Sequence, residues 1–271
     1  MKKTFTLLLF TLSINCFSQD NRKQNFPKLE EKVSKIPNKS KVWVFIMAGQ
    51  SNMAGRGFVE PQDTISNARI LTLNKNRQLI KAKEPLHWYE PNLTGLDCGM
   101  SFAKNLLPNI PEDVSILILP VAIGGSSTTQ WLGDSTYRGV QLFTNFKEKV
   151  AFAKNYGNIK GIIWHQGESD ANEGFLPDYS SRIENLFKQF RKEIGNKKIP
   201  IIMGEIGSYS KSNEYWQKIN SKIHRYSAAA KYTDFIHTQD LNHKGDFIHF
   251  NSEGQREMGK RFAQKYLLMD K

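Results

Sequence analysis

The sequence predicts a doubly wound α/β fold, a three-layer α/β/α sandwich around a mostly parallel sheet. Three observations lead there. Short runs rich in Ile and Val recur without polar alternation, as expected of strands covered by helices on both faces. Longer segments with helical apolar spacing lie between them. Gly- and Ser-rich stretches fall just past the ends of the apolar runs, where such folds bind ligands.

From the N-terminus, residues 1–18 read as a signal peptide. Lys2 and Lys3 form a positive head, and residues 5–17 are apolar but too short to span a bilayer. Cys16 and Ser18 supply the small residues that a cut before Gln19 requires. Bulky Asn15 argues against lipid attachment at Cys16, so the expected destination is the periplasm or the medium. Removal of the segment leaves Cys98 as the one thiol and excludes an intramolecular disulfide. Residues 19–40 are polar and contain Pro27 and Pro37, and they read as a linker or loosely packed arm.

One domain is then expected over residues 41–271. Five strands are predicted at 41–48, 68–73, 114–121, 159–165 and 199–205, with a sixth at 233–238 on the edge. Helix 140–156 repeats apolar residues at Leu142, Phe143, Phe146, Val150 and Ala153. Helix 178–194 does so at Tyr179, Ile183, Leu186, Phe187, Phe190 and Ile194, and stops at Gly195. Helices at 213–231 and 252–268 complete the set, the last opening with a Ser252–Gln255 capping box. No further stretch is apolar and long enough to span a membrane.

Lys plus Arg number 38 against 26 for Asp plus Glu, a formal charge of +12. The basic runs 28–41 and 188–198 are interleaved with acids and apolar residues, the pattern of solvated faces, and no nucleic-acid motif accompanies them. Nucleic acid is therefore not an expected partner.

Chemistry concentrates at the strand ends. The first strand runs into Gly49-Gln50-Ser51-Asn52-Met53-Ala54-Gly55, which places a serine hydroxyl on a tight turn at the sheet rim. No G-x-x-x-x-G-K-[ST] or G-x-G-x-x-G supports nucleotide binding, and Met53 breaks the G-x-S-x-G elbow. The third strand ends at Gly124-Gly125, whose exposed N–H groups suit an oxyanion. The fourth ends at His165-Gln166-Gly167-Glu168-Ser169-Asp170. There Gln166 is a candidate amide donor, Glu168 and Asp170 accept from a sugar or hold loops, and His165 reads as structural. Near the C-terminus Asp246 stands three residues before His249, a spacing that lets the carboxylate orient the imidazole. Ser51, His249 and Asp246 thus supply nucleophile, base and orienter. The competing chemistry is a zinc site at His243, Asp246 and His249, although no HExxH is present.

Read together, these blocks resemble the sialate O-acetylesterase and acetylxylan esterase group, carbohydrate esterase family six, of the SGNH hydrolase superfamily. The resemblance spans about residues 41–268. It implies a flavodoxin-like SGNH fold, Ser51 as nucleophile, His249 as general base and Asp246 as its partner. It also implies an oxyanion hole from the Ser51 and Gly125 N–H groups and the Gln166 side chain. Gln50 and Gln166-Gly167 stand where wider SGNH enzymes carry Asp and Gly-x-Asn. Gln50, Asn52 and Glu168 are supporting residues on this reading, with Glu168 a rival orienter of His249. Neither cofactor nor metal is required, and the implied substrate is an acetylated carbohydrate, with Trp131 a better platform for the sugar than Trp88, Tyr89 or Trp164. A serine esterase or lipase on non-sugar esters, and a catalytically dead carbohydrate-binding protein, are the alternatives.

Overall fold

The computed structural model describes residues 21–269, so the signal-peptide reading of 1–18 lies outside the described residues. In chain order the elements are β1 (Val42–Gly49), α1 (Ser51–Ala54), β2 (Ile70–Leu73), β3 (Leu79–Lys81), α2 (Gly99–Leu106), β4 (Ser115–Pro120) and α3 (Thr128–Leu132). A two-stranded ribbon, β5 (Thr136–Tyr137) and β6 (Val140–Gln141), precedes α4 (Leu142–Tyr156). Then come β7 (Asn158–His165), α5 (Tyr179–Ile194), β8 (Ile201–Gly204), α6 (Asn213–Ala229), β9 (Thr233–Ile236) and α7 (Ser252–Met269).

The central sheet has seven strands in the order β3-β2-β4-β1-β7-β8-β9. All neighbours pair in parallel except β2 and β3. Alternate residues of β1 point to opposite faces, as the pleat requires. Val44, Ile46 and Ala48 enter a core with α3, α4, α5 and α6, while Phe45 and Met47 enter a second core with α2 and α7. The three-layer sandwich is therefore as expected, and all six predicted strands are present.

Four local readings are corrected. The seventh strand, β3, is a three-residue edge that turns back on β2, too short for its apolar content to register. Residues 21–40 are not a loose arm: Lys32 bridges to Ile80, and the Lys81 N–H donates to the Glu31 carbonyl at 2.8 Å. The Glu31 carboxylate also pairs with Lys81 and Lys83, so this segment covers the exposed edge of β3. Helix α7 is capped by Asn251, whose Oδ1 accepts the Gly254 N–H at 2.8 Å. The Ser252 hydroxyl donates instead to the Phe58 carbonyl, and the Gln255 amide to that of Asn52. Finally, Trp131 is no platform. Its ring is wholly buried against Trp164 and Phe190, and its N–H donates to Ser126 Oγ at 2.9 Å.

Trp131→Ala should therefore cost about 3–5 kcal/mol of unfolding free energy, the usual range for an aromatic core truncation. Urea denaturation checks it; a solvent-facing platform would lose almost no stability.

Candidate active site

Strand β1 lies between β4 and β7, so the three loops that follow these strands converge at one rim of the sheet. Close backbone approach sets the geometry there. Gly49 has φ +136°, and a Cβ on it would lie 2.1 Å from the His165 carbonyl oxygen, so no other residue fits. The next N–H, of Gln50, donates to that same carbonyl at 2.9 Å. The chain then turns sharply into α1, and Ser51 is its first residue.

His249 Nε2 stands 3.0 Å from Ser51 Oγ, and its Nδ1 stands 2.7 Å from Asp246 Oδ2. The other Asp246 oxygen accepts the backbone N–H groups of Ile248 and His249 at 3.0 and 2.8 Å. Carboxylate, imidazole and hydroxyl thus form one chain of hydrogen bonds. Burial pushes the Asp246 carboxyl up, but the His249 ring and the two backbone N–H groups outweigh it and hold it at about 2. Burial lowers the His249 pKa below its usual value, and the Asp246 contact recovers part of the loss. The ring is consequently a free base at neutral pH, the state in which it can accept a proton from serine.

The second loop is held from below. Buried Glu90 accepts the Gly124 N–H at 2.7 Å and pairs with Arg56 at 2.9 Å and Arg138 at 2.7 Å. Burial pushes the Glu90 carboxyl up, yet the two guanidinium groups and the N–H bring it below its ordinary value. Gly125 follows at φ +81°, where a Cβ would press on the Tyr137 hydroxyl at 3.0 Å. Its N–H has no acceptor among the described residues.

The third loop supplies support. Glu168 does not touch the His249 ring; its Oε1 accepts from Asn52 Nδ2 at 2.6 Å. Gln50 Oε1 accepts from the Gly167 and Ser169 N–H groups at 3.4 and 3.2 Å. Asp170 is buried and accepts from the Thr128 N–H and hydroxyl at 3.0 and 2.6 Å, so it holds loops. His165 is buried, donates to the Glu205 carbonyl at 2.8 Å and is structural, as expected.

Two candidates fall away. Gln166 directs its amide nitrogen to Asp170 and to the Ser126 carbonyl, which occupies both hydrogens and leaves none for an oxyanion. His243 turns Nδ1 onto the Gly245 and Phe247 N–H groups at 2.9 and 3.3 Å, and His243, Asp246 and His249 do not bring their ligand atoms together into a metal-ligand set. Sequence reasoning also missed Phe247 and Ile248. Both are exposed between Asp246 and His249, and the apolar pair inside D-x-x-H was the available signal. Trp88 and Tyr89 pack tilted against each other with ring centroids 4.2 Å apart, and their polar atoms donate to the Leu73 and Pro120 carbonyls.

This sheet order, with serine, glycine-pair and histidine loops on one rim, is the architecture of the SGNH-type hydrolases. Within that class, the chain belongs to the carbohydrate esterase family of sialic acid-specific acetylesterases, which matches residues 41–268. A probable carbohydrate esterase of Arabidopsis thaliana is 28% identical over 243 residues, 83% of this chain and 90% of its own length. The crystal structure of that Arabidopsis protein superposes with a TM-score of 0.74 at 27% identity, covering 83% of this chain and 98% of that one. NanS shares the fold with a TM-score of 0.71 at 19% identity, over 86% of this chain and 98% of its own. A carbohydrate acetylesterase from Xanthomonas citri does so at 0.62 and 21%, over 82% of this chain and 55% of its own.

The lowered His249 pKa sets a pH profile. kcat/KM on an acetyl ester should fall as pH drops through an acid limb centred below 6.5, His's ordinary value. Because Asp246 raises the His249 pKa, Asp246→Asn should move that limb to still lower pH. A pH–rate titration of both proteins checks the sign.

Proposed function

We propose that this protein is an exported carbohydrate O-acetylesterase that works through an acetyl-enzyme on Ser51. The observation that carries the reading is the unbroken Asp246–His249–Ser51 hydrogen-bond chain at the sheet rim of a carbohydrate esterase family member. Ser51 Oγ attacks the acetyl carbonyl while His249 Nε2 takes its proton, and Asp246 stabilises the imidazolium. The oxyanion is held by the N–H groups of Ser51 and Gly125, the first being free because the first N–H groups of a helix lack intrahelical acceptors. His249 then returns the proton to the departing sugar hydroxyl. Water, activated by the same imidazole, releases acetate. No step needs a metal or a cofactor. Export rests on the positive head, short apolar stretch and small residues of positions 1–18.

Four variants assayed on one acetyl ester test the mechanism. Ser51→Ala and His249→Ala should lose several orders of magnitude in kcat/KM, with the fold intact. Asp246→Asn comes next. The retained Asn oxygen still accepts the backbone N–H groups, so its amide faces Nδ1 and forces the wrong tautomer, which cost ~10⁴ in a protease triad. A smaller loss is expected here, because the short loop between Asp246 and His249 already restrains the ring. Glu168→Gln should cost least, since a glutamine oxygen still accepts from Asn52. A larger loss in Glu168→Gln than in Asp246→Asn would transfer the orienting role to Glu168.

The sugar platform in this reading is Phe247. Its exposed ring sits two residues from His249 and lies 4.3 Å from the His243 ring. Its φ of +59° is strained for a residue with a Cβ, a cost accepted where the loop must turn both catalytic groups inward and the ring outward. Phe247→Ala should raise KM for acetylated oligosaccharides several-fold and leave p-nitrophenyl acetate hydrolysis unchanged. Equal effects on both esters would assign the ring to loop structure.

A further inference from the structure

The carboxyl end of β8 carries a second group of ligating side chains that the esterase chemistry leaves unused. Glu205 is fully buried just past β8, His224 projects from α6, and His237 is the first residue after β9. His224 Nε2 and His237 Nδ1 both meet Glu205 Oε1, the second at 3.1 Å. One ligand atom from each of the three residues lies within 4.8 Å of the others, the one such triple among the described residues. The remaining carboxylate oxygen accepts the Thr238 N–H at 2.9 Å.

This buried carboxyl group is met by imidazoles rather than by Lys or Arg. Arg261 reaches the His237 carbonyl, but its charge is directed to Asp240 and Glu257. Two imidazole nitrogens converging on one carboxylate oxygen form a donor set of two N and one O. A zinc-class ion accepts that set at bond lengths of ~2.0–2.2 Å, each ring keeping its proton on the nitrogen away from the ion and any further bridging proton passing to water. Ligand atoms around a tetrahedral ion stand roughly 3.3 Å apart, close to the His237–Glu205 separation already present. The rings are preset, His224 stacking on Phe235 at 4.3 Å and His237 standing edge-on to Phe235 at 5.0 Å. Entry is open, since the His224 and His237 side chains are 37% and 68% exposed. A surface depression of ≈ 300 Å³ lined by Gln217, Asn220, Ser221 and Gln239 also reaches His224.

We propose that Glu205, His224 and His237 bind one divalent transition-metal ion of the zinc class, with water completing its coordination. The site is separate from the Ser51 centre and its ion does not touch the ester. It ties α6 and the end of β9 to the end of β8. The Glu205 carbonyl also accepts the His165 N–H, so the ion stiffens the rim on which the third catalytic loop stands.

The test is calorimetric titration of the purified, tag-free protein with zinc chloride after stripping with chelator. One zinc per chain is expected, with His224→Gln and His237→Gln each weakening binding at least tenfold. His249→Ala should bind zinc like the parent, and kcat/KM on an acetyl ester should be unchanged in both Gln variants. Zinc should raise Tm in the parent and not in His237→Gln, whose exposed side chain leaves the fold intact. No saturable uptake, uptake indifferent to both Gln variants, or uptake lost in His249→Ala overturns the site.

Discussion

The side chain of Asn52 is the constraint on which the active rim depends. Its Oδ1 accepts the Phe250 N–H at 3.0 Å, and its Nδ2 donates to the Ile248 carbonyl at 3.1 Å and to Glu168 at 2.6 Å. Its own carbonyl accepts the Gln255 amide at 3.0 Å. One buried amide therefore fixes the residue after Ser51 to both neighbours of His249, and both to the loop after β7. A hydroxyl and an imidazole 198 positions apart in the chain meet at 3.0 Å because the residues beside them are bolted together. Every hydrogen-bonding atom of that amide is used, so a substitution there disturbs three loops at once.

Buried carboxylates do similar work under the other loops. Glu90 holds the Gly124-Gly125 turn between two guanidinium groups, and Asp170 ties the start of α3 to Gln166 and Arg182. Buried ion pairs add little net stability, since desolvation offsets much of the attraction. Their contribution here is geometric: they fix the glycine turn while the Gly125 N–H stays unpaired among the described residues. The Asp246 carboxylate differs, being partly open to solvent. Its low pKa comes from short local hydrogen bonds that the D-x-x-H turn provides by itself.

The sheet was legible because its strands are buried on both faces, which forces a run of Ile and Val at each position. The short elements were not. α2 has eight residues, and β3 has three that owe their strand form to pairing with β2 and the segment before β1. Trp131 beside Gly124-Gly125 read as a surface ring, since proximity in sequence carries no information about which layer a five-residue helix faces. The Ser252–Gln255 box failed for a related reason: both side chains found partners in distant segments, Phe58 and Asn52, and Asn251 took the cap.

Local sequence by itself determined the strand–helix alternation, the glycine turn that brings Ser51 to the rim, and the Asp246–His249 pair. Each depends on residues a few positions apart. Tertiary structure alone decided that Gln166 braces Asp170, that Glu168 accepts from Asn52 without contacting His249, and that the Trp131 ring is buried in the core. It also brought Glu205, His224 and His237 together. Those outcomes are set by which side chains compete for the same buried donors and acceptors once the loops converge, and that competition has no signature in a single chain of letters.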